Sequence, residues 1–347
     1  MSSNHVNTKL TRILSIDGGG IRGIIPGQIL VTLENKLQQM DNNPDARLAD
    51  YFDLIAGTST GGILTCIYLL PDLENPAKAR FSAEEAVALY LDRGDEIFDM
   101  SFWQKIKSGV GIADEKYDEE PLVQALTEYM DDTMLSNLLR PTLITSYDIE
   151  NRKGHFFKSH RAKKNEDYDF YVREVARSTS AAPTYFEVSK ATSASGKEYG
   201  LIDGGVFVNN PALCAYSEAR TTIFDQFRDK PKATNMMILS IGTGNEDESY
   251  PYRKVKKWGA LQWLVPLIDI MMSGVSQTVD YQLKQIYDAV EKPDQYIRIS
   301  PSLEKANSKM DDVSRENLNA LKEAGSINAE KYDEKLTKVA KMLIANK

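Results

Sequence analysis

The fold is decided by the stretch Ile55-Ala56-Gly57-Thr58-Ser59-Thr60-Gly61-Gly62. It joins a short apolar segment, typical of a buried strand, to the apolar run 63–70, which is typical of a helix. A serine with glycines two residues before and two residues after it, between a strand and a helix, forms the G-x-S-x-G pattern of a nucleophile elbow. The glycines lack the side chains that would collide where the strand turns back into the helix. We therefore expect Ser59 to be a nucleophile on an elbow formed by Gly57 and Gly61.

A second glycine cluster precedes it in the chain, at Asp17-Gly18-Gly19-Gly20-Ile21-Arg22-Gly23. It lies between the apolar run 13–16 and the helix-like stretch 24–40. Consecutive glycines leave backbone N–H groups uncovered, and the start of a helix favours negative charge. We expect Gly18, Gly19 and Gly20 to form an oxyanion hole. Arg22 is expected beside it, either as a positioning residue or as a direct participant.

A third cluster, Asp203-Gly204-Gly205, places one carboxylate at the end of an apolar run. In isolation it also fits an ordinary tight turn. The second cluster likewise has an alternative interpretation, because Gly18, Gly20 and Gly23 fit the dinucleotide-binding pattern G-x-G-x-x-G. Against that interpretation, another strand–glycine–helix unit with a central serine follows about 40 residues later, for which a dinucleotide site has no use.

Taken in order, these motifs give the chain a resemblance to the patatin-like phospholipases, which are lipid acyl hydrolases with a Ser–Asp dyad. The resemblance covers about residues 12–244, including the small-residue segment 178–186 and Asn209-Asn210-Pro211, and more weakly residues 258–283. It implies that Ser59 attacks an ester carbonyl of a membrane phospholipid to form an acyl-enzyme. It implies that Asp203 takes the serine proton and then activates water, with the glycine loop holding the oxyanion. It also extends to bacterial antiviral effectors, and so implies a cyclic-dinucleotide activator.

The histidines provide an independent test of the mechanism. The chain has three histidines, His5, His155 and His160, and none of them follows Asp203. A triad in the α/β-hydrolase order of serine, acid and histidine is therefore excluded. A dyad, as the resemblance implies, needs no imidazole. Two alternatives remain: a serine acyltransferase of the malonyl-carrier-protein type, whose histidine would be His155 or His160, and a nucleotide-binding regulatory module.

Composition restricts the partners. With 347 residues and 42% hydrophobic content, the chain can form a large core without disulfides or metals. Cys66 and Cys214 lie in apolar stretches and are expected to be core thiols. No metal or cofactor is expected. The net charge of −8 argues against nucleic acid as a partner. The N-terminus lacks the apolar segment of a signal peptide, which predicts a cytoplasmic protein. As a lipid hydrolase of the kind that the resemblance implies, it is expected to make peripheral contact with the inner membrane when active.

Two basic segments run against the acidic composition. Residues 253–257 precede Trp258 and Trp263, a combination typical of an interfacial membrane anchor, although both tryptophans would equally suit a helix packed on the core. Residues 152–164 hold six lysines and arginines. We interpret them as the solvated edge of a hairpin or as a site for phosphates of a lipid head group or a nucleotide.

Strand-like and helix-like segments alternate along most of the chain, which predicts a three-layer α/β/α fold with a largely parallel central sheet and additional C-terminal helices. We expect a flexible tail at 1–11, a catalytic domain at 12–300 with an insertion or lid at 71–121, and helices at 301–347 packed on that domain. The oligomeric state is left open. The predicted strands are 12–16, 51–56, 141–146, 155–158, 198–202, 236–241 and 295–299. The predicted helices are 24–40, 61–70, 83–98, 120–130, 170–179, 211–227, 261–291 and 313–346.

Overall fold

Eight strands form one sheet at the centre of the protein. The computed structural model describes residues 9–97, 120–183, 185–222, 230–244 and 250–347. The strands are β1 (Thr11–Ile16), β2 (Leu54–Thr58), β3 (Thr142–Asp148), β4 (Lys153–Phe157), β5 (Ser189–Thr192), β6 (Glu198–Asp203), β7 (Met236–Ile241) and β8 (Tyr296–Ile299). Their order across the sheet is β5-β6-β3-β2-β1-β7-β8, and β4 pairs with β3.

Helices cover this sheet. They are α1 (Ile24–Met40), α2 (Thr60–Leu69), α3 (Ala83–Ile97), α4 (Glu120–Met130), α5 (Ser159–Ala162), α6 (Val172–Thr179), α7 (Ala212–Ala219), α8 (Tyr252–Val255), α9 (Ala260–Ala289), α10 (Arg315–Lys331) and α11 (Asp333–Ala345). In the described part of the chain, none of them is both long enough and apolar enough to cross a membrane.

Alternate residues of the strands face two separate hydrophobic cores. Leu14 and Ile16 of β1 belong to a core shared with α1, α2, α10 and α11, whereas Ile13 belongs to a second core shared with α7 and α9. Because successive side chains of a strand point to opposite faces of the sheet, the two cores lie on its two sides. All residues of β1, β2 and β7 are buried, as expected for strands covered on both faces. The predicted three-layer α/β/α class is confirmed.

The sheet is parallel from β3 through β2, β1 and β7 to β8, and antiparallel where β4, β5 and β6 join it. Strand β3 pairs with β2 through Thr145 and Thr58, and one residue further on Ser146 pairs with Asp203 of β6. The last residue of β6 therefore lies level with the end of β2. This register brings the end of an antiparallel strand to the edge where the parallel strands end.

The sequence prediction differs from the structure in several elements. Strand β5 was not predicted, and β2 begins at Leu54 rather than at residue 51, because the apolar residues before it follow a 3₁₀ turn, Leu48–Asp50. The helix predicted to end at residue 227 ends at Ala219, and the C-terminal helical stretch divides at Tyr332. Most of the predicted tail and residues 98–119 of the predicted insertion or lid lie outside the described residues.

Candidate active site

Ser59 occupies the turn between β2 and α2 with a strained backbone. Its φ of 53° and ψ of −123° lie in a region that residues with a side chain rarely adopt. The surroundings hold this conformation on both sides. The Ser59 N–H donates to Thr179 Oγ1 at 2.9 Å, and that hydroxyl donates to the Thr145 carbonyl at 2.6 Å. The Ser59 carbonyl accepts from the Ile63 N–H at 3.0 Å, as the first turn of α2 requires.

At the elbow, backbone segments lie so close together that only glycine fits at positions 57 and 61. A Cβ at Gly57 would overlap the Gly61 carbonyl, and a Cβ at Gly61 would overlap the Ile16 carbonyl at the end of β1. The chain therefore folds back on itself and onto the neighbouring strand with no space for side chains. Gly57 and Gly61 lie where the G-x-S-x-G pattern predicts them.

Asp203, the last residue of β6, is 5% exposed and lies beside this turn. The Ser59 hydroxyl lies close enough to its carboxylate to stabilise the ionised form, and the Gly205 N–H donates to Oδ1 at 2.7 Å. Burial raises the pKa of Asp203 to about 6, although the Ser59 hydroxyl and the Gly205 N–H favour the ionised form and oppose the rise. The carboxylate is thus a stronger base than an ordinary aspartate while remaining mostly ionised at neutral pH.

Ser59 and Asp203 line one cavity of about 250 Å³. Gly20 of the glycine loop reaches the same cavity. Most of its remaining surface is apolar, and the apolar lining includes Pro183, Phe186, Val206, Ile268, Met272 and Met310. A serine hydroxyl, a carboxylate and an apolar surface therefore share one space.

Two carbonyl groups of the glycine loop accept hydrogen bonds from neighbouring residues. Thr243 Oγ1 donates to the Gly18 carbonyl at 2.8 Å, and the backbone N–H and Nε of Arg22 donate to the Gly19 carbonyl at 3.2 and 3.4 Å. The Gly18 N–H itself donates to the Asn209 carbonyl at 3.1 Å. Among the described residues, no acceptor is found for the N–H groups of Gly19 and Gly20. Of the three predicted donors, Gly18 is thus already engaged within the protein.

Arg22 does not line the cavity of Ser59. It lines an adjoining polar cavity of about 680 Å³, which also contains Asp17 and Arg298. The Arg298 guanidinium donates to both carboxylate oxygens of Asp17, at 2.9 and 2.6 Å. Of the two roles expected for Arg22, its contacts favour positioning over direct participation, because its donors hold the Gly19 carbonyl.

The histidines lie elsewhere. His155 is packed among Phe157, Phe170 and Tyr199, and burial lowers its pKa to about 4, so that it is neutral. His160 hydrogen-bonds to Glu218 at 2.9 Å. Neither lines the cavity of Ser59, and His5 lies outside the described residues. The described residues contain no cluster of three or more side chains able to hold a metal ion.

A strained serine beside a buried aspartate, at the strand ends of an α/β/α sheet, is the arrangement of a serine hydrolase. A family model described as patatin-like phospholipase matches residues 14–216. Patatin-like protein 2 of Oryza sativa subsp. indica is 36% identical, over 94% of this chain and 85% of the relative. Patatin group J-1 of Solanum tuberosum is 36% identical, over 96% of this chain and 90% of the relative.

The chain belongs to the patatin-like phospholipase family, as its motifs predict, and is an enzyme of the serine hydrolase type. Among solved structures, the chain is similar to human GIVD cytosolic phospholipase A2 in complex with methyl gamma-linolenyl fluorophosphonate. The similarity covers 98% of this chain and 59% of the human chain. The identity is 11% and the TM-score 0.41.

The strain at Ser59 predicts a difference between two substitutions that both remove the hydroxyl. Ser59→Gly should have a free energy of unfolding about 1 kcal/mol higher than Ser59→Ala, because glycine adopts this φ without strain and alanine does not. Urea denaturation followed by circular dichroism measures the difference. A Ser59→Gly protein no more stable than Ser59→Ala would show that the elbow stores no strain.

Proposed function

We propose that the protein hydrolyses ester bonds of membrane phospholipids through a Ser59–Asp203 dyad and an acyl-enzyme intermediate. The observation that carries the proposal is the position of the Ser59 side chain beside the buried Asp203 carboxylate inside an apolar cavity. No histidine of the described residues shares that cavity.

The proposed chemistry takes place in two steps. In the first, the Ser59 oxygen attacks the ester carbonyl and its proton passes to Asp203, which returns it to the departing alcohol of the lipid. In the second, Asp203 takes a proton from water, the hydroxide attacks the acyl-enzyme, and the fatty acid leaves as Ser59 regains its proton. A pKa of about 6 suits Asp203 for this role, because a base is most effective when its pKa lies near the working pH.

The oxyanion would be held by the N–H groups of Gly19 and Gly20. In a trans peptide the carbonyl and the following N–H point in opposite directions. Thr243 holds the Gly18 carbonyl, and Arg22 holds the Gly19 carbonyl, so each fixes the direction of the next N–H group. We propose that these two residues position the donors. Gly18, which was also predicted to be a donor, would support the loop through its bond to Asn209.

The apolar lining suits an acyl chain, because each buried methylene contributes about 0.8 kcal/mol. We propose that the substrate comes from a membrane surface that meets the protein near the start of α9. Ile268 and Met272 of this helix line the cavity, while Leu267 and Met271 are 49% and 45% exposed. The basic residues 253–257 lie just before this helix and would meet the lipid phosphates.

Four finer expectations stay predictions: activation by a cyclic dinucleotide, a role in antiviral defence, a cytoplasmic location and contact with the inner membrane. The acyltransferase alternative is less well supported, because His155 is buried among aromatic rings and His160 is bound to Glu218. A nucleotide-binding module without catalysis is also less well supported, because it would not explain why Ser59 and Asp203 lie together.

The proposed hydrolysis is tested by incubating the protein with vesicles of phospholipids differing in head group, with and without cyclic dinucleotides, and measuring released fatty acid. We expect Ser59→Ala and Asp203→Asn to lose more than about a thousandfold in rate. Asp294→Asn, at an exposed carboxylate, is the matched control and should keep full activity. Co-sedimentation with the vesicles checks the membrane contact.

Normal turnover in the Ser59→Ala or Asp203→Asn protein would refute the dyad. Acyl transfer to an added thiol in preference to water would favour the acyltransferase. Release that requires the dinucleotide would support the activator, and no release under any condition would favour the binding module.

The pKa of Asp203 predicts the pH dependence of hydrolysis. Since the base must be ionised, kcat/KM should decrease about tenfold per pH unit below an apparent pKa of about 6 and be level above it. The profile is measured on a soluble monomeric ester between pH 4.5 and 8, with circular dichroism to verify folding at each pH. Activity that stays level down to pH 4.5 would contradict this assignment of the base.

The proposed role of Thr243 predicts a selective loss. Thr243→Val keeps the shape of the side chain but removes the hydroxyl that holds the Gly18 carbonyl, so kcat should fall about ten- to a hundredfold. The change in KM should be small, because the cavity lining is untouched. Thr243→Ser keeps the hydroxyl and should restore most of the rate. Equal losses in the valine and serine variants would point to packing instead.

A further inference from the structure

A second cavity, of about 760 Å³, lies at the opposite edge of the sheet from Ser59. Asp53 and Pro141, which line it, directly precede the parallel strands β2 and β3, whereas Ser59 directly follows β2. Lys158 follows β4, which is antiparallel to β3 and so ends at that same edge. We call this space the basic cavity, because its lining includes Arg140, Lys158, Arg161, Lys163, Lys164 and Lys230.

The two carboxylates in the lining are already paired. Asp53 accepts hydrogen bonds from Arg12 at 2.7 and 3.0 Å. Glu218 accepts from Lys158 at 2.6 Å and hydrogen-bonds to His160 at 2.9 Å. Burial opposes ionisation of Glu218, but these two hydrogen bonds outweigh it and lower its pKa to about 2. Neither acid is therefore left to balance the other cations.

The other cations remain without a negative partner in the part of the chain that the structure describes. Lys163, Lys164 and Lys230 have no carboxylate within ion-pair distance there, and the Arg161 guanidinium lies 3.5 Å from the Tyr168 ring centroid, which fixes its place without neutralising it. His160 Nδ1 is also buried without a partner. Like charges gathered in one concave space raise the local potential and attract anions.

This concentration of positive charge stands against the composition of the whole chain, which carries a formal net charge of −8. The need for a charged, soluble surface therefore does not explain this cluster of cations. The volume falls within the range of small-molecule sites, about 300–1,000 Å³, and is far larger than one phosphate ion requires. Lysine and arginine are the side chains that bind phosphate groups in proteins.

We propose that the basic cavity binds a soluble small molecule carrying two or more phosphate groups. A lipid head group presents the same chemistry, but a membrane that delivers substrate to Ser59 meets the opposite edge of the sheet. The occupant is for that reason assigned to solution. The assignment to solution rests on the membrane contact proposed for Ser59, whereas phosphate binding by the basic cavity does not, since no residue is shared by the two cavities.

The test is a calorimetric titration of the full chain with inorganic triphosphate. We expect saturable binding that weakens as salt is raised. The double substitution Lys163→Glu with Lys164→Glu should weaken binding tenfold or more. Lys322→Glu with Lys341→Glu is the matched control, because both lysines are exposed on α10 and α11 and the change in net charge is equal. This control should leave the affinity within about threefold.

Three results would overturn the proposal: no saturable binding of triphosphate, equal weakening in the two double variants, or binding unaffected by either. Vesicles containing phosphatidic acid provide a second arm. If they bind through the cavity and triphosphate does not, the occupant is a lipid. Lys163→Gln with Lys164→Gln removes charge without reversing it and replaces the glutamate variant should that fail to fold, as monitored by circular dichroism.

Discussion

The contact between Ser59 and Asp203 depends on one strand, β3, which pairs with β2 on one side and with β6 on the other in opposite directions. Because β6 runs antiparallel, it brings its last residue to the edge where β2 ends, one position beyond the Thr58–Thr145 pair. A shift of one residue in either pairing would move Asp203 to the opposite face of the sheet. The register of β3 thus determines whether Asp203 lies beside Ser59.

Burial of Asp203 reduces stability and increases basicity at the same time. A rise in pKa from 3.8 to about 6 corresponds to about 3 kcal/mol. The folded state binds this proton more tightly than the unfolded state, so the loss of stability is fully present above pH 6 and disappears below pH 4. Asp17, the buried aspartate just after β1, is ion-paired with Arg298, whereas the groups that stabilise the Asp203 carboxylate, the Ser59 hydroxyl and the Gly205 N–H, are neutral. Of the two, the carboxylate without a cation is the one beside the serine.

Sequence reasoning found the residues whose positions are fixed locally. Ser59, Gly57 and Gly61 lie within one turn, and the glycine loop directly follows one strand, so spacing alone predicts their placement. Thr243 and Thr179 carry no such signal, because their contacts to Gly18 and Ser59 span 225 and 120 residues of sequence. Strand β5, with the sequence Ser189-Lys190-Ala191-Thr192, lacks the apolar run by which the other strands were found.

The basic segment 152–164 is a second case in which contacts between residues distant in the sequence could not be predicted. As a sequence it fits a hairpin edge, and β3 and β4 do form a hairpin; yet the cavity also needs Glu218 and Thr222 from α7 and the turn after it. Only the tertiary structure brings these groups together.

The acidic chain has two basic regions, residues 253–257 and the basic cavity, and the residues around these two regions differ in kind. An anionic bilayer attracts both regions, since electrostatic attraction does not distinguish them. Residues 253–257 have exposed apolar side chains near them: Tyr252 is 75% exposed, and Leu267 and Ile270 of α9 are exposed as well. Apolar side chains gain by entering a lipid interface, whereas the exposed ammonium groups of Lys163, Lys164 and Lys230 are strongly hydrated and would lose water without apolar compensation. In the proposed orientation a membrane would contact the edge of the sheet that holds Ser59, and the basic cavity would face solution.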